Sequence, residues 1–263
     1  TWRYRDLVTR RAAQDVKFHV RVNTRLRGGW QVGAQALIEE FGYDPDLYRS
    51  YYLFAPRAGG LDTIAYSGTA NLPNLDWVFS LGTPEFKRFS FNTFALYGQD
   101  ENFPEWSSAI IGSVQGTLNL RPTEQLRLAG TLTHDTFDRK TDGSRVLTRS
   151  ARRLRMEYQV TRQIFVRLIG EYSLTQQDSL RDDSRTNLPV YLRAADGTFT
   201  RATAFERKRG RLDVLFSYLP TPGTVFYVGY GDALAANKPE GPDRLQRSRD
   251  LYFLKLSYLF RLQ

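Results

Sequence analysis

YFLKLSYLFRLQ, the sequence of residues 252–263, decides the fold class of this chain. Every even-numbered position in it is apolar or aromatic, while Lys255, Ser257 and Arg261 occupy odd-numbered positions. Alternation with a period of two is typical of a β-strand that has one apolar and one polar face. The chain is therefore predicted to end on an amphipathic strand.

The same alternation recurs in ten earlier segments, so the sequence predicts eleven clear strands. In residues 16–26, for example, Val16, Phe18 and Val20 alternate with Lys17 and Arg21. Nowhere does an apolar stripe with the helical period of 3.6 residues persist for three turns. We therefore expect an all-β protein.

The connections between these segments alternate between tight turns and longer polar stretches. This is the arrangement of transmembrane barrels, which have short periplasmic turns and long extracellular loops. No apolar run reaches the roughly 18 residues that a spanning helix needs, but barrel strands need only about 9–11 residues. The sequence predicts a transmembrane antiparallel up-and-down β-barrel. The tight turns are residues 27–29, 83–85, 121–125, 161–163 and 220–223, and the long loops are residues 40–75, 98–105, 137–146, 174–205 and 234–249.

The strand count constrains the domain organisation. Bacterial barrels have an even number of strands with both ends in the periplasm. Eleven strands therefore require either a twelfth strand at residues 2–8, where Trp2 and Tyr4 would suit an interfacial aromatic girdle, or further strands upstream. We expect about twelve strands in a single barrel domain over residues 1–263, which we take to be the C-terminal part of a longer protein.

The end of the chain also resembles known proteins. A final strand with Leu254, Leu256, Tyr258 and Phe260 on its apolar face is similar to the C-terminal strand of bacterial outer-membrane barrels, which faces lipid and is recognised by the barrel-assembly machinery. One departure is that the three residues after Phe260 leave the last position, Gln263, non-aromatic.

A more specific resemblance covers roughly the last fifty residues. The segments LDVLFSYLPTPGTVFYVGYGDAL (residues 212–234) and LYFLKLSYLFRLQ (residues 251–263) resemble the C-terminus of an uncharacterised bacterial outer-membrane family. Its members carry an upstream periplasmic domain similar to a family 9 carbohydrate-binding module. The resemblance implies an outer-membrane location, contact with lipid and lipopolysaccharide, and a link to saccharides. It supplies no catalytic residues.

The polar faces of the strands are the place to look for function. If the apolar faces meet lipid, basic side chains outnumber acidic ones in the lumen, and the barrel would be a pore that favours anionic solutes. Alternatively, the charges pair across strands and fill a modest lumen, which gives a non-conducting scaffold for a periplasmic domain or a partner. The candidate lumen residues are Lys17, His19, Arg21, Arg25, Arg88, Arg127, Arg153, Arg155, Glu157, Arg167, Glu171, Arg211, Asp213 and Lys255.

Other function classes receive less support. The net charge of +9 is spread along the whole chain, whereas nucleic-acid binding calls for a clustered basic stripe. With no Cys and two His, the chain offers one weak catalytic alternative, a hydrolase site at the outer rim with His134, Asp135 and Asp138. Strand parity turns His134 outward, so we expect no enzyme. We also expect no cofactor and no metal, because the acidic loop clusters lack the spacing of a calcium loop.

The two longest loops, residues 40–75 and 174–205, carry several aromatic residues. Loops of this length are often functional. They could fold inward as a constriction, contact partner proteins or recognise glycans, and the sequence does not choose among these roles.

Overall fold

The structure is a computed structural model that describes residues 15–239 and 244–258. Within these residues, no helix is both long and apolar enough to cross a membrane. The strands are β1 Asp15–Arg25, β2 Gln31–Gly42, β3 Tyr51–Arg57, β4 Gly60–Ala65, β5 Asn71–Gly82, β6 Phe89–Asn102, β7 Ser107–Leu120, β8 Leu126–Arg139, β9 Arg145–Gln159, β10 Ile164–Gln177, β11 Val190–Arg193, β12 Phe199–Arg201, β13 Phe205–Thr221, β14 Thr224–Lys238 and β15 Gln246–Tyr258.

Eleven of these strands form one antiparallel sheet in the order β1-β2-β5-β6-β7-β8-β9-β10-β13-β14-β15. Each of them pairs with the strand that precedes and follows it in this order, which is an up-and-down topology. The all-β prediction and the eleven clear strands are therefore confirmed. Among the described residues, β1 pairs only with β2 and β15 only with β14, so closure into a barrel stays a prediction. The twelfth strand expected at residues 2–8 lies outside the described residues.

The sheet has one apolar and one polar face, because residues directly opposite each other in an antiparallel pair point the same way. Register runs continuously from Val22 through Ala34 to Phe79, for instance, and these side chains share the apolar face. This face is open to the surroundings: Phe79 is 56% exposed and Leu254 is 77% exposed. The main sheet thus does not bury its apolar face in a protein core.

The ends of the sheet differ as predicted, but three of the expected long loops are shorter than predicted. For the loop expected at residues 234–249, β14 and β15 leave only residues 239–245 between them. Strands β6 to β9 run further than their hydrophobic alternation, so the connections expected at residues 98–105 and 137–146 shorten to 103–106 and 140–144. The turn expected at residues 83–85 extends over 83–88. Backbone pairing continued past the last apolar residue because ladder hydrogen bonds do not depend on side-chain type.

The two longest loops contain strands that the sequence analysis did not predict. Residues 43–70 and 178–204 together contribute the four strands of a second sheet, in the order β12-β11-β3-β4. We call these two segments the cap. The decisive pairing joins Leu53 of β3 to Val190 of β11. Such short strands, far apart in sequence, could not be recognised before their partners were known.

Candidate functional site: the polar face and its cap

The register places the sequence-predicted lumen residues on one face of the main sheet. One continuous row, for example, contains Arg127, Glu157 and Arg167 side by side on β8, β9 and β10. Every other member of the set occupies an equivalent position in the register except Arg88, which directly precedes β6. The alternation was therefore correct about which side chains lie together. That this face lines a lumen stays a prediction.

Several charges on the polar face are paired. Glu39 accepts from Nε2 of His19 at 2.6 Å and lies 3.8 Å from Nζ of Lys17. The Nε atom of Arg153 lies 3.2 Å from Oε1 of Glu171 on the neighbouring strand. These pairs are partly exposed, so each contributes little to stability. These pairs join neighbouring strands, as expected if the barrel is a non-conducting scaffold.

Along β9 and β13, two further charge pairs lie within a single strand. Arg211 contacts Asp213 at 2.7 Å, and Arg155 donates from Nε to Glu157 at 2.9 Å. The partners are two residues apart and so lie on the same face. All three acids of the predicted lumen set, Glu157, Glu171 and Asp213, are thus paired with arginines.

Among the arginines on this face that sequence reasoning missed are Arg149, Arg207 and Arg209. Their positions follow from the register, since Arg149 and Arg207 both lie opposite Thr175, and Arg209 lies opposite Ser173. None of them forms an ion pair with any residue in the described ranges. They extend the basic surface of β9 and β13 towards the cap.

The cap is attached to the main sheet by a buried charge cluster. The Nη2 atom of Arg139, at the end of β8, contacts Oε1 of Glu105 at 2.6 Å, and both side chains are almost wholly buried. Arg139 also contacts Asp178 at 2.7 Å, while Glu105 accepts from the backbone N–H of Arg181 at 3.0 Å. Glu105 additionally accepts from the Asn102 amide at 2.8 Å. One ion pair therefore holds three connections together.

An aromatic cluster forms the centre of the cap. Tyr48, Tyr66 and Trp106 are buried there, and the indole Nε1–H of Trp106 donates to the carbonyl of Thr69 at 2.7 Å. The Tyr48 hydroxyl donates to the carbonyl of Phe103 at 2.6 Å. Burial raises the pKa of Tyr48 and of Tyr66 well above the ordinary tyrosine value, so both remain neutral donors. The aromatic cluster makes the cap a packed unit, and the hydroxyl of Tyr48 and the indole of Trp106 both have hydrogen-bond partners in it.

The cap covers the polar face at its end of the sheet. Several side chains buried near the cap belong to that face: Leu72 on β5, Ile111 on β7, Arg139 on β8 and Leu147 on β9. Glu101 on β6, Val146 on β9 and Ala236 on β14 are buried there as well, so burial at this end is not confined to one face. Whether these loops constrict a lumen, one of the three options that the sequence left open, stays a prediction.

At the connection 140–144, the carboxylate of Asp142 faces the cap. It accepts hydrogen bonds from the Ser144 hydroxyl at 2.7 Å and from the Ser144 backbone N–H at 2.9 Å, and Arg181 contacts it at 2.8 Å. These hydrogen bonds, with the nearby guanidinium, hold the pKa of Asp142 below its usual range. Asp142 therefore stays charged and keeps its contact with Arg181 of the cap.

The opposite end of the apolar face carries a row of aromatic side chains, of which sequence reasoning singled out only Tyr258. Phe89 and Phe86 lie there with ring centroids 4.6 Å apart, and Tyr218 stacks on Phe226 at 6.4 Å. Aromatic rings in such a row are typical of the water–lipid interface of barrels. The sequence contains these residues, but only the strand register shows that they lie at the same end of the sheet. The apolar-face aromatics at this end are Phe89, Tyr158, Tyr218, Phe226 and Tyr258.

The alternative hydrolase residues are not brought together. His134 lies on the apolar face opposite Ser150, whereas Asp135 lies on the polar face and accepts from the Ser113 hydroxyl at 2.6 Å. Asp138 is held in an ion pair by Arg145. Over residues 15–239 and 244–258, no group of three or more His, Asp or Glu side chains could hold a metal ion. Phe260 of the assembly signal lies outside the described residues.

No family model and no curated protein matches the chain. Among solved structures, a rhombohedral crystal structure of the NanC porin matches with 11% identity and a TM-score of 0.32, over 94% of this chain and 94% of that one. The outer membrane transporter YddB from Escherichia coli matches with 8% identity and a TM-score of 0.38, over 89% of this chain and 35% of that one. The chain is thus similar to an outer-membrane porin and to an outer-membrane transporter. At these TM-scores neither similarity bears on what the chain does.

Proposed function

We propose that the chain forms part of an outer-membrane β-barrel pore with a net basic lumen that is narrowed by its cap. The observation that carries the proposal is the exposed apolar face, which continues across all eleven strands. Monomeric soluble proteins rarely expose contiguous apolar patches larger than a few hundred Å². Exposing such a face to lipid carries no hydrophobic penalty. The high exposure of Val22, at 64%, and of Leu254, at 77%, therefore supports a lipid environment for this face.

The extent of this face supports the same assignment. On β10 its side chains are apolar from Ile164 to Leu174, close to the roughly 9–11 residues that a tilted strand needs to cross the hydrocarbon core. In register with Tyr172 and Leu174, the same face carries Arg152 on β9 and Lys208 on β13, so the apolar band ends at this level. Strands that project beyond the lipid, with an aromatic row at the other boundary, are expected of an outer-membrane barrel.

In this proposal the edges at β1 and β15 are closed, either against each other or against further strands. An open edge in lipid would leave a row of backbone N–H and C=O groups without hydrogen-bond partners, each at a cost of several kcal/mol. We therefore retain the expectation of an even-stranded barrel that belongs to a longer protein.

A non-conducting scaffold is the second candidate, and the cap favours it. The Arg139–Glu105 pair, buried beneath the cap, fixes a packed unit over one end of the polar face. Paired charges such as Arg153–Glu171 fill part of the space below it. A barrel closed in this way would anchor a periplasmic domain or a partner protein.

Conductance across planar bilayers separates the two candidates. We expect the folded full chain to give discrete anion-selective current steps, because positive charges dominate the polar face. A variant with residues 189–202 replaced by a short Gly/Ser linker should conduct more. If the wild type is silent and the linker variant conducts, the cap is a plug; silence from both, with folded protein, supports the scaffold.

The outer surface of the cap is where we propose contact with glycans or partner proteins. Phe54 and Tyr191 lie edge to face at 4.6 Å, Tyr52 and Phe199 at 5.1 Å, and the guanidinium of Arg193 lies 5.8 Å from the Tyr52 ring. Aromatic rings beside hydrogen-bond donors suit stacking against sugars. Glycan-array binding that is lost on Tyr191→Ala would support this contact, and unchanged binding would argue against it.

A further inference from the structure

We propose an oxyanion-binding site on the polar face, centred on the guanidinium of Arg209. Its ligand would be a small solute that carries a carboxylate, sulfate or phosphate group. The inference rests on the proposed function only in requiring that water and solutes reach this face.

The register row that contains Arg209 holds no carboxylate, and Glu171 of the adjoining row is paired with Arg153. Register places Arg209 between Ser173 on β10 and Ala235 on β14, and Ser173 lies opposite Ala151 on β9. Ala151 in turn lies opposite Thr133 on β8. The whole row therefore offers two hydroxyl groups, two methyl groups and one unpaired cation. A guanidinium with free donors is suited to bidentate binding of an oxyanion.

The neighbouring rows raise the positive potential at this position. Arg207 and Arg211 lie two residues away on β13 and thus on the same face. Towards the cap, Arg149 adds a further cation, in register with Thr175 and Arg207. Of the arginines in the adjoining row, Arg153 and Arg211 each contact one acid, so the surroundings keep a net positive charge.

Space is available for a ligand at this place. A concavity of about 570 Å³ is lined by Arg209 together with Thr133, Ala151, Ser173 and Ala235, and in the adjoining row by Arg153, Arg211 and the carboxylate of Glu171. That volume lies within the range of small-molecule sites, roughly 300–1,000 Å³. It exists because the flanking positions carry alanine and serine, whereas long side chains at these positions would fill it.

Calorimetric titration of inorganic phosphate into the folded full chain in detergent tests the site. We expect saturable binding to the wild type that Arg209→Gln weakens about tenfold or more, the usual effect of losing a charge-assisted hydrogen bond. The matched control is Arg21→Gln. It also removes one positive charge from the polar face, but on β1, where Arg21 donates to Gln35 at 2.9 Å. The control should bind as the wild type does.

A second variant separates the cavity from the charge. Ala151→Leu keeps every arginine but fills the concavity, so it should also abolish saturable binding, and it tests the site if Arg209→Gln does not fold. Equal weakening of phosphate binding by Arg209→Gln and Arg21→Gln would overturn the proposal in favour of a general basic surface. The absence of saturable phosphate binding to the wild type would overturn it outright. Phosphate binding without conductance would refute the pore and support the oxyanion site. Conductance without phosphate binding would support the pore and refute the site.

Discussion

At the scale of single residues, the buried pair between Arg139 and Glu105 is the interaction on which the cap depends most. Removing one partner of a buried ion pair leaves the other charge without compensation, at a cost of about 3–5 kcal/mol. Arg139 would retain its contact with Asp178, so we expect Glu105→Ala to lie near the lower end of this range. The measurement is limited proteolysis, which should cut the variant within residues 178–204 while the main sheet stays intact.

The matched control is Glu85→Ala at the opposite end of the sheet. Glu85 lies 3.5 Å from Arg121 in an exposed pair, and such pairs contribute less than about 1 kcal/mol. This variant should be cut like the wild type. Equal protection of the cap in both variants would show that the buried pair does not hold it.

Gly98 on β6 is a second position where one residue determines local structure. A Cβ atom there would lie 2.3 Å from the carbonyl oxygen of Leu75 and 2.6 Å from Cα of Asp76. Backbone atoms cannot move aside cheaply, so Gly98→Ala should cost about 1–3 kcal/mol, the usual penalty of overpacking. Gly170→Ala on β10, where a Cβ meets nothing within 4 Å, is the control. Gel-shift assays of folding yield should show a loss for Gly98→Ala alone.

At the scale of the strand, adjacent positions of β10 test which face meets lipid. Leu168 lies on the apolar face, while Ile169 lies on the polar face opposite Arg155 and Asp213. An arginine facing the middle of the bilayer costs about 2–4 kcal/mol, whereas one facing a lumen is tolerated. Leu168→Arg should therefore lower folding yield into lipid vesicles, and Ile169→Arg should fold normally. The opposite order would reverse the proposed orientation of the sheet.

At the scale of the whole molecule, the cap joins two loops that are far apart in the chain. Tyr52 of β3 pairs directly with Tyr191 of β11, and the chain has no cysteine of its own. Directly opposite Cα atoms lie about 4.5–5.5 Å apart, within reach of a disulfide. Tyr52→Cys with Tyr191→Cys should therefore cross-link on oxidation without altering conductance, because the loops are already paired. A conductance that depends on the redox state would mean that the loops must separate for the pore to open.

The alternation of apolar and polar residues by itself determined the all-β class, the eleven strands of the main sheet and the face to which residues such as Arg153 and Leu254 belong. A period of two needs no knowledge of distant partners, because it is a property of each strand alone. It also turned His134 away from Asp135 correctly. These conclusions needed no coordinates.

Only the tertiary structure decided the rest. The cap depends on Leu53 meeting Val190, the buried cluster on Glu105 meeting Arg139, and the concavity on Arg209 lying between Ser173 and Ala235. Each depends on segments widely separated in sequence. Local periodicity states which way a side chain points, but the register and curvature of the assembled sheet decide what it meets, because these are set by all the strands together.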